Sequence, residues 1–139
     1  MHTKTLFTEE LLAVLPSRHP LAKKPKLGLK DLASEPFVVL NEAHCLTRNT
    51  MSFCERHAVS TLITAKSHQL LTVLELVRLG LGVSLIPAMA VPKGRDHGRV
   101  YRSLGGDRPS RTVALAWNRM HYQTQLFKRF VHFLSAPSR

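Results

Sequence analysis

Short apolar runs alternate with longer polar segments along the chain, and these runs predict β-strands. The predicted strands cover residues 11–15, 37–40, 62–65, 83–86 and 111–117, and a shorter strand is expected at 100–104. Several of these runs are continuously apolar, a pattern typical of strands that are buried on both faces, as in a parallel sheet.

Helices are predicted where apolar residues recur at helical spacing. The clearest helix lies at 67–79, where Ser67 is a suitable N-cap and Gly80 a suitable left-handed residue beyond the end. A second helix is expected at 46–56, and an amphipathic helix at 121–134. Alternating strands and helices predict an α/β domain whose mostly parallel sheet is flanked by helices.

Length and composition indicate one folded domain. The chain has 139 residues, of which 44% are hydrophobic and 21% charged, which excludes disordered, collagen-like and rod-like proteins. No apolar run approaches the length of a membrane span, and we expect no membrane partner. The first twelve residues lack the apolar centre of a signal peptide, and two cysteines are too few for a secreted disulfide scaffold. These features together predict a cytoplasmic protein.

The chain carries 20 lysines and arginines against nine acidic residues, a net charge of +11. A charge of this size is typical of nucleic-acid-binding proteins. However, the basic residues are scattered, and aromatic residues make up only 6% of the chain. Two interpretations stay open at this point, a generally solubilising surface and a domain that binds nucleic acid by itself.

The most distinctive candidate chemistry lies around Cys45, between a predicted strand and a predicted helix. Backbone N–H groups and the helix dipole favour a thiolate there, and His44 and Arg48 would add positive charge. A reactive Cys45 would be oxidised by peroxide and then form a disulfide with Cys54. If 46–56 is helical, the bridge requires rearrangement, because disulfide Cα atoms lie within about 7 Å. The alternative is two small buried cysteines without chemistry.

Other chemistries have weaker support in the sequence. His44, Cys45, Cys54 and His57 could ligate zinc, but the closely spaced cysteine pair of structural zinc sites is missing. We find no nucleophile elbow, phosphate-binding glycine loop or zinc-protease motif. We therefore expect no enzyme activity, no cofactor and no metal.

Three sequence segments resemble a known family. HPLA at residues 19–22, followed by DLASEPF at 31–37, and LVRLGLGVSLIP at 76–87 resemble the effector-binding region of LysR-type transcriptional regulators. The resemblance implies a periplasmic-binding-protein-like lobe. It also implies that 1–139 is a single regulatory-domain fragment, comprising the second lobe, the returning strand and the C-terminal helix, with no DNA-binding helix-turn-helix. The implied partners are a second copy of the chain, a peroxide or small anionic effector, and DNA through the missing N-terminal domain.

Within that family, the spacing of the two cysteines is similar to that of the peroxide-sensing members. This similarity implies a peroxidatic Cys45 and a resolving Cys54, with His44 as a polar neighbour and Arg111 polarising the peroxide. Arg48 stands where the resemblance implies an acidic residue.

The same resemblance leaves an alternative open. The chain would then be an ordinary effector domain with inert cysteines. A small organic anion would bind at helix N-termini near Thr47 and Ser67, aided by Arg111.

Overall fold

The computed structural model describes residues 1–41, 45–120 and 122–136. The chain forms two compact units. The larger unit is Glu10–Arg111, and the smaller unit combines Met1–Glu9 with Thr112–Arg139.

All six predicted strands are present. Their bounds are His2–Pro16 (β1), Pro36–Leu40 (β2), Leu62–Ser67 (β3), Ser84–Pro87 (β4), Arg99–Arg102 (β5) and Ser110–Trp117 (β6). β1 begins nine residues earlier than predicted, at residue 2 instead of 11. Its first half contains no buried side chain, so it shows no apolar run. Backbone pairing between β1 and β6 keeps it extended.

The strand directions differ from the prediction. β2 and β3 are parallel, and Val83, just before β4, forms a parallel bridge with Phe37. β1, however, pairs antiparallel with both β4 and β5. The α/β class is therefore confirmed, but a mostly parallel sheet is not. A continuous apolar run predicts that a strand is buried on both faces, but it does not predict whether the neighbouring strand is parallel or antiparallel.

In the described part of the chain, three α-helices accompany the strands, namely Cys45–Arg56 (α1), Leu70–Arg78 (α2) and Gln125–Ser135 (α3). α3 starts four residues later than predicted, where the Thr124 hydroxyl accepts a hydrogen bond from the Phe127 N–H at 3.1 Å. No helix in the described ranges is both long enough and apolar enough to cross a membrane.

The start of α2 corrects the prediction of Ser67 as N-cap. Ser67 is the last residue of β3 and pairs with Leu40, so its backbone belongs to the strand. Its hydroxyl still accepts a hydrogen bond from the Gln69 N–H, at 3.2 Å. The predicted end of α2 is confirmed, because Gly80 has a φ of +85° and the Gly80 and Leu81 N–H groups close the last turn.

The core of the larger unit lies between the strands and the buried faces of α1 and α2. Phe37 is its largest fully buried side chain. Aliphatic residues from β1, β2, α2 and β4 surround it, including Leu11, Leu15, Val38, Val73, Leu74, Val77 and Ile86.

Gly82 permits a close approach of two backbone segments. A Cβ at this position would lie 2.4 Å from the Pro36 carbonyl oxygen. That oxygen accepts a 2.8 Å hydrogen bond from the Val83 N–H. A side chain here would therefore push β4 away from β2.

We predict that Gly82→Ala lowers the free energy of unfolding by about 2 kcal/mol or more, because the clash involves backbone atoms that cannot rotate away. Urea denaturation measures the change. Gly105→Ala is the matched control, since its added Cβ would meet nothing closer than 3.6 Å. Equal effects of the two substitutions would contradict the prediction.

Candidate functional site

The candidate site lies at one edge of the β2–β3 pair. Leu40 and Ser67 end the two parallel strands side by side, and the Asn41 N–H donates to the Ser67 carbonyl at 2.8 Å. α1 follows β2, and α2 follows β3. Both helices therefore start beyond the same edge, where α/β proteins bind their ligands. We call this region the Cys45 edge.

Cys45 is the first residue of α1, and its side chain is exposed. The first turn of a helix has unpaired N–H groups, and the helix dipole attracts negative charge there. The predicted position of Cys45, after a strand and at a helix start, is thus confirmed.

Cys54 has the opposite environment. It lies on the buried face of α1 and is only 1% exposed. Burial raises the pKa of its thiol from 9.0 to about 11, and the neighbouring Glu55 carboxylate adds to the rise. At neutral pH Cys54 is therefore a protonated, buried thiol.

The helix keeps the two cysteines apart. They are nine positions apart within α1, which corresponds to about 13.5 Å along the axis and about half a turn around it. Disulfide formation and shared zinc coordination both need a much shorter separation. The structure therefore confirms that a bridge requires α1 to rearrange.

Hydroxyl groups at the Cys45 edge form hydrogen bonds within the chain. The buried Thr47 donates to the Leu40 carbonyl at 2.8 Å, which joins the first turn of α1 to the end of β2. A cavity of about 10 Å³ adjoins Thr47, Thr50 and Ser84, enough for about one water molecule. The Thr47 O–H already donates to Leu40 and is not available to an anion, whereas the Ser67 hydroxyl only accepts, from the Gln69 N–H.

The other predicted site residues are placed as follows. Arg48 is exposed, one turn after Cys45. The Arg111 guanidinium contacts the Met89 sulfur at 3.2 Å. Met89 lies just after β4, and the parallel bridge between Phe37 and Val83 shows that β4 runs in the same direction as β2. The end of β4, and with it Met89 and Arg111, therefore lies on the side of the Cys45 edge. His44 lies outside the described residues.

Two histidines lie beside α1 and the Cys45 edge, namely His57, which the sequence suggested only as a zinc ligand, and His68, for which it suggested no site role. The His68 ring lies 3.4 Å from the Asn41 side-chain nitrogen. At the other end of α1, the His57 ring nitrogens lie 2.8 Å from the Phe53 carbonyl and 3.1 Å from the Asp107 carboxylate. His68 directly follows β3 in the structure, whereas the sequence prediction placed it inside the helix at 67–79. The His57–Asp107 contact joins residues 50 positions apart, so no local pattern indicates it.

Comparisons with known proteins agree with this architecture. Residues 1–137 match the family model of the LysR substrate binding domain. The chain is 33% identical over 113 residues to the DNA-binding transcriptional dual regulator OxyR of Escherichia coli K12, covering 81% of this chain and 37% of that protein.

Solved structures of OxyR are also similar to this chain. The reduced form of OxyR superimposes with a TM-score of 0.79 at 29% identity, covering 97% of this chain and 62% of that structure. For the oxidised form the TM-score is 0.74 at 28% identity, covering 97% and 63%. The chain thus spans just over a third of the length of the E. coli relative and under two thirds of these structures.

We predict that a neutral-pH alkylating reagent such as iodoacetamide modifies Cys45 at least about tenfold faster than Cys54 in the native protein, since only Cys45 is exposed. Peptide mass spectrometry measures both rates. In denaturant the two rates should become similar, and equal rates in the native protein would contradict the structure.

We also predict that alkaline pH destabilises the fold through Cys54. Its folded pKa of about 11 lies above the unfolded value. The stability from the protonated thiol is therefore fully present below the ordinary pKa of 9.0 and is lost as pH rises towards 11. The expected loss is about 2 kcal/mol relative to Cys54→Ala, measured by urea denaturation across this range. Parallel pH profiles for the two proteins would contradict the prediction.

Proposed function

The chain belongs to the LysR substrate-binding-domain family, and from this premise we propose that it is the peroxide-sensing part of a transcription regulator, acting through Cys45 and Cys54. The observation that carries the proposal is the arrangement of one exposed and one buried thiol on opposite faces of the same helix. Because the two thiols cannot meet while α1 is helical, formation of a disulfide after oxidation of Cys45 would require the backbone of α1 to change.

In the first step, the Cys45 thiolate attacks one oxygen of hydrogen peroxide. An S–O bond forms, the O–O bond breaks, and the second oxygen takes up a proton and leaves as water. Cys45 becomes a sulfenic acid. Its position at the start of α1 supports this role, because the helix end attracts negative charge on the sulfur. Arg48, one turn along, adds positive charge on the exposed side.

In the second step, the Cys54 thiolate attacks the Cys45 sulfur. The S–S bond forms, the S–O bond breaks, and the hydroxyl leaves as water. Two thiols have then lost two electrons, and one peroxide has become two waters. A thiol with a pKa of about 11 is a poor nucleophile at neutral pH. Opening of α1 would expose Cys54 and return its pKa towards the ordinary value, so we propose that this opening controls the second step.

The contacts that hold α1 define what oxidation must release. Thr47 joins its first turn to Leu40, and Phe53 is buried in the core. His57 joins its C-terminal end to Asp107. Together these contacts favour the reduced, helical state until a sulfenic acid forms on Cys45. The disulfide would then hold α1 in a different fold.

Membership of the family supports a wider proposal. We propose that the chain is the second lobe of a regulatory domain with the returning strand and C-terminal helix, and that it works in the cytoplasm as a homo-oligomer. DNA would be bound by a separate N-terminal domain. OxyR of E. coli, of which the matched segment is 37%, is described as a DNA-binding regulator. The peroxide reaction tests the proposal most directly.

We predict that near-stoichiometric hydrogen peroxide converts both thiols to a Cys45–Cys54 disulfide, with a loss of helical far-UV signal because α1 must open. Thiol-specific mass spectrometry follows the reaction. Cys54→Ser should stop at a Cys45 sulfenic acid, which a dimedone-type reagent traps, and it should keep its helix signal.

Cys45→Ser is the matched control and should keep an unmodified Cys54 under the same pulse. Survival of both thiols in the unsubstituted chain would contradict the proposal. A panel of small carboxylates would then test the alternative of an organic-anion effector, because a bound ligand raises the melting temperature.

A further inference from the structure

A second feature lies at the opposite end of α2 from the Cys45 edge. It is a surface cleft of about 270 Å³, lined by Pro16, Ser17, Arg18, Arg78 and Gly98. α2 begins next to the Cys45 edge and ends at Arg78. The cleft is therefore separate from the cysteine chemistry, and we call it the arginine cleft.

Backbone contacts bring the two arginines of the cleft together. The Ser17 N–H donates to the Gly98 carbonyl at 2.9 Å, which holds the segment after β1 against the loop before β5. Gly98 has a φ of +113°, and a Cβ there would lie 2.9 Å from the Arg78 Cγ. Glycine at this position therefore allows the Arg78 side chain to pack directly against the backbone of the loop.

The Arg78 guanidinium is oriented by an ion pair. Its Nε donates to the Glu75 carboxylate at 2.7 Å, one turn earlier on α2. This contact uses one edge of the guanidinium. Because a guanidinium has five N–H donors, others remain for a ligand.

The carboxylates near the cleft are already engaged. Glu75 is shared between Arg78 and Arg99, the latter at 3.2 Å. Asp96 accepts from Arg99 at 2.9 Å and from the Tyr101 hydroxyl. Arg18 has no carboxylate within ion-pair distance among the described residues. Arg18 thus brings a positive charge to the cleft that no carboxylate in the described part of the chain balances, while the charge of Arg78 is paired with Glu75.

We propose that the arginine cleft binds a small phosphate-type oxyanion between Arg18 and Arg78. Guanidinium groups bind tetrahedral oxyanions through paired, charge-assisted hydrogen bonds. The cleft, at about 270 Å³, has room for such an anion. A nucleic-acid backbone would need a row of several cations along a surface, whereas the described lining of this cleft contains two, Arg18 and Arg78.

The test is a titration of the protein with inorganic phosphate at constant ionic strength, followed by melting temperature and NMR chemical shifts. We expect saturable binding, with a rise of about 5 °C in melting temperature at ten times the dissociation constant. Shifts should centre on residues 16–18 and 98. Arg18→Gln removes an exposed residue without a carboxylate partner, so the fold should persist while phosphate binding weakens about tenfold.

Arg129→Gln is the matched control, because it removes the same charge from an exposed position on α3 in the other unit. It should bind phosphate like the unsubstituted chain, and so should Cys45→Ser. An equal, non-saturating response of Arg18→Gln and Arg129→Gln would overturn the proposal as general charge screening. Tight binding of a short DNA duplex that Arg18→Gln weakens and phosphate does not displace would overturn it in favour of nucleic acid.

Discussion

The parallel pairing of β2 with β3 is the constraint on which the rest of the larger unit depends. It places Leu40 beside Ser67, so both strands end at one edge and both following helices start there. It also leaves Phe37 buried under α2 and beside β4, where Gly82 allows the backbones to meet. Loss of this register would separate the Cys45 edge from the core that supports it.

α1 carries two opposing requirements. Its buried face stabilises the fold through Phe53 and Cys54, and its first turn is joined to β2 through Thr47. The proposed sensor chemistry requires the same helix to open so that Cys54 can reach Cys45. The stability of α1 therefore sets how readily oxidation proceeds to a disulfide, since contacts that favour the helix oppose the bridge.

The two ends of α2 differ in their chemistry. The first end adjoins the Cys45 edge, where backbone groups and hydroxyls pair within the chain. The last end carries Arg78, and the neighbouring carboxylates are shared among arginines. A net charge of +11 explains why one arginine can stay without a carboxylate partner. It does not by itself place two arginines in one cleft.

The sequence by itself determined the local elements and the position of Cys45. Apolar runs located the strands, helical spacing located the helices, and Gly80 marked the end of α2, because burial and backbone preference act over a few neighbouring residues. Tertiary structure decided the antiparallel pairing of β1 and the extension of β1 to His2. It also assigned Ser67 to a strand and placed Arg18 and Arg78 on the lining of one cleft. These features depend on contacts between residues that are far apart in the chain, and patterns among neighbouring residues do not predict such contacts.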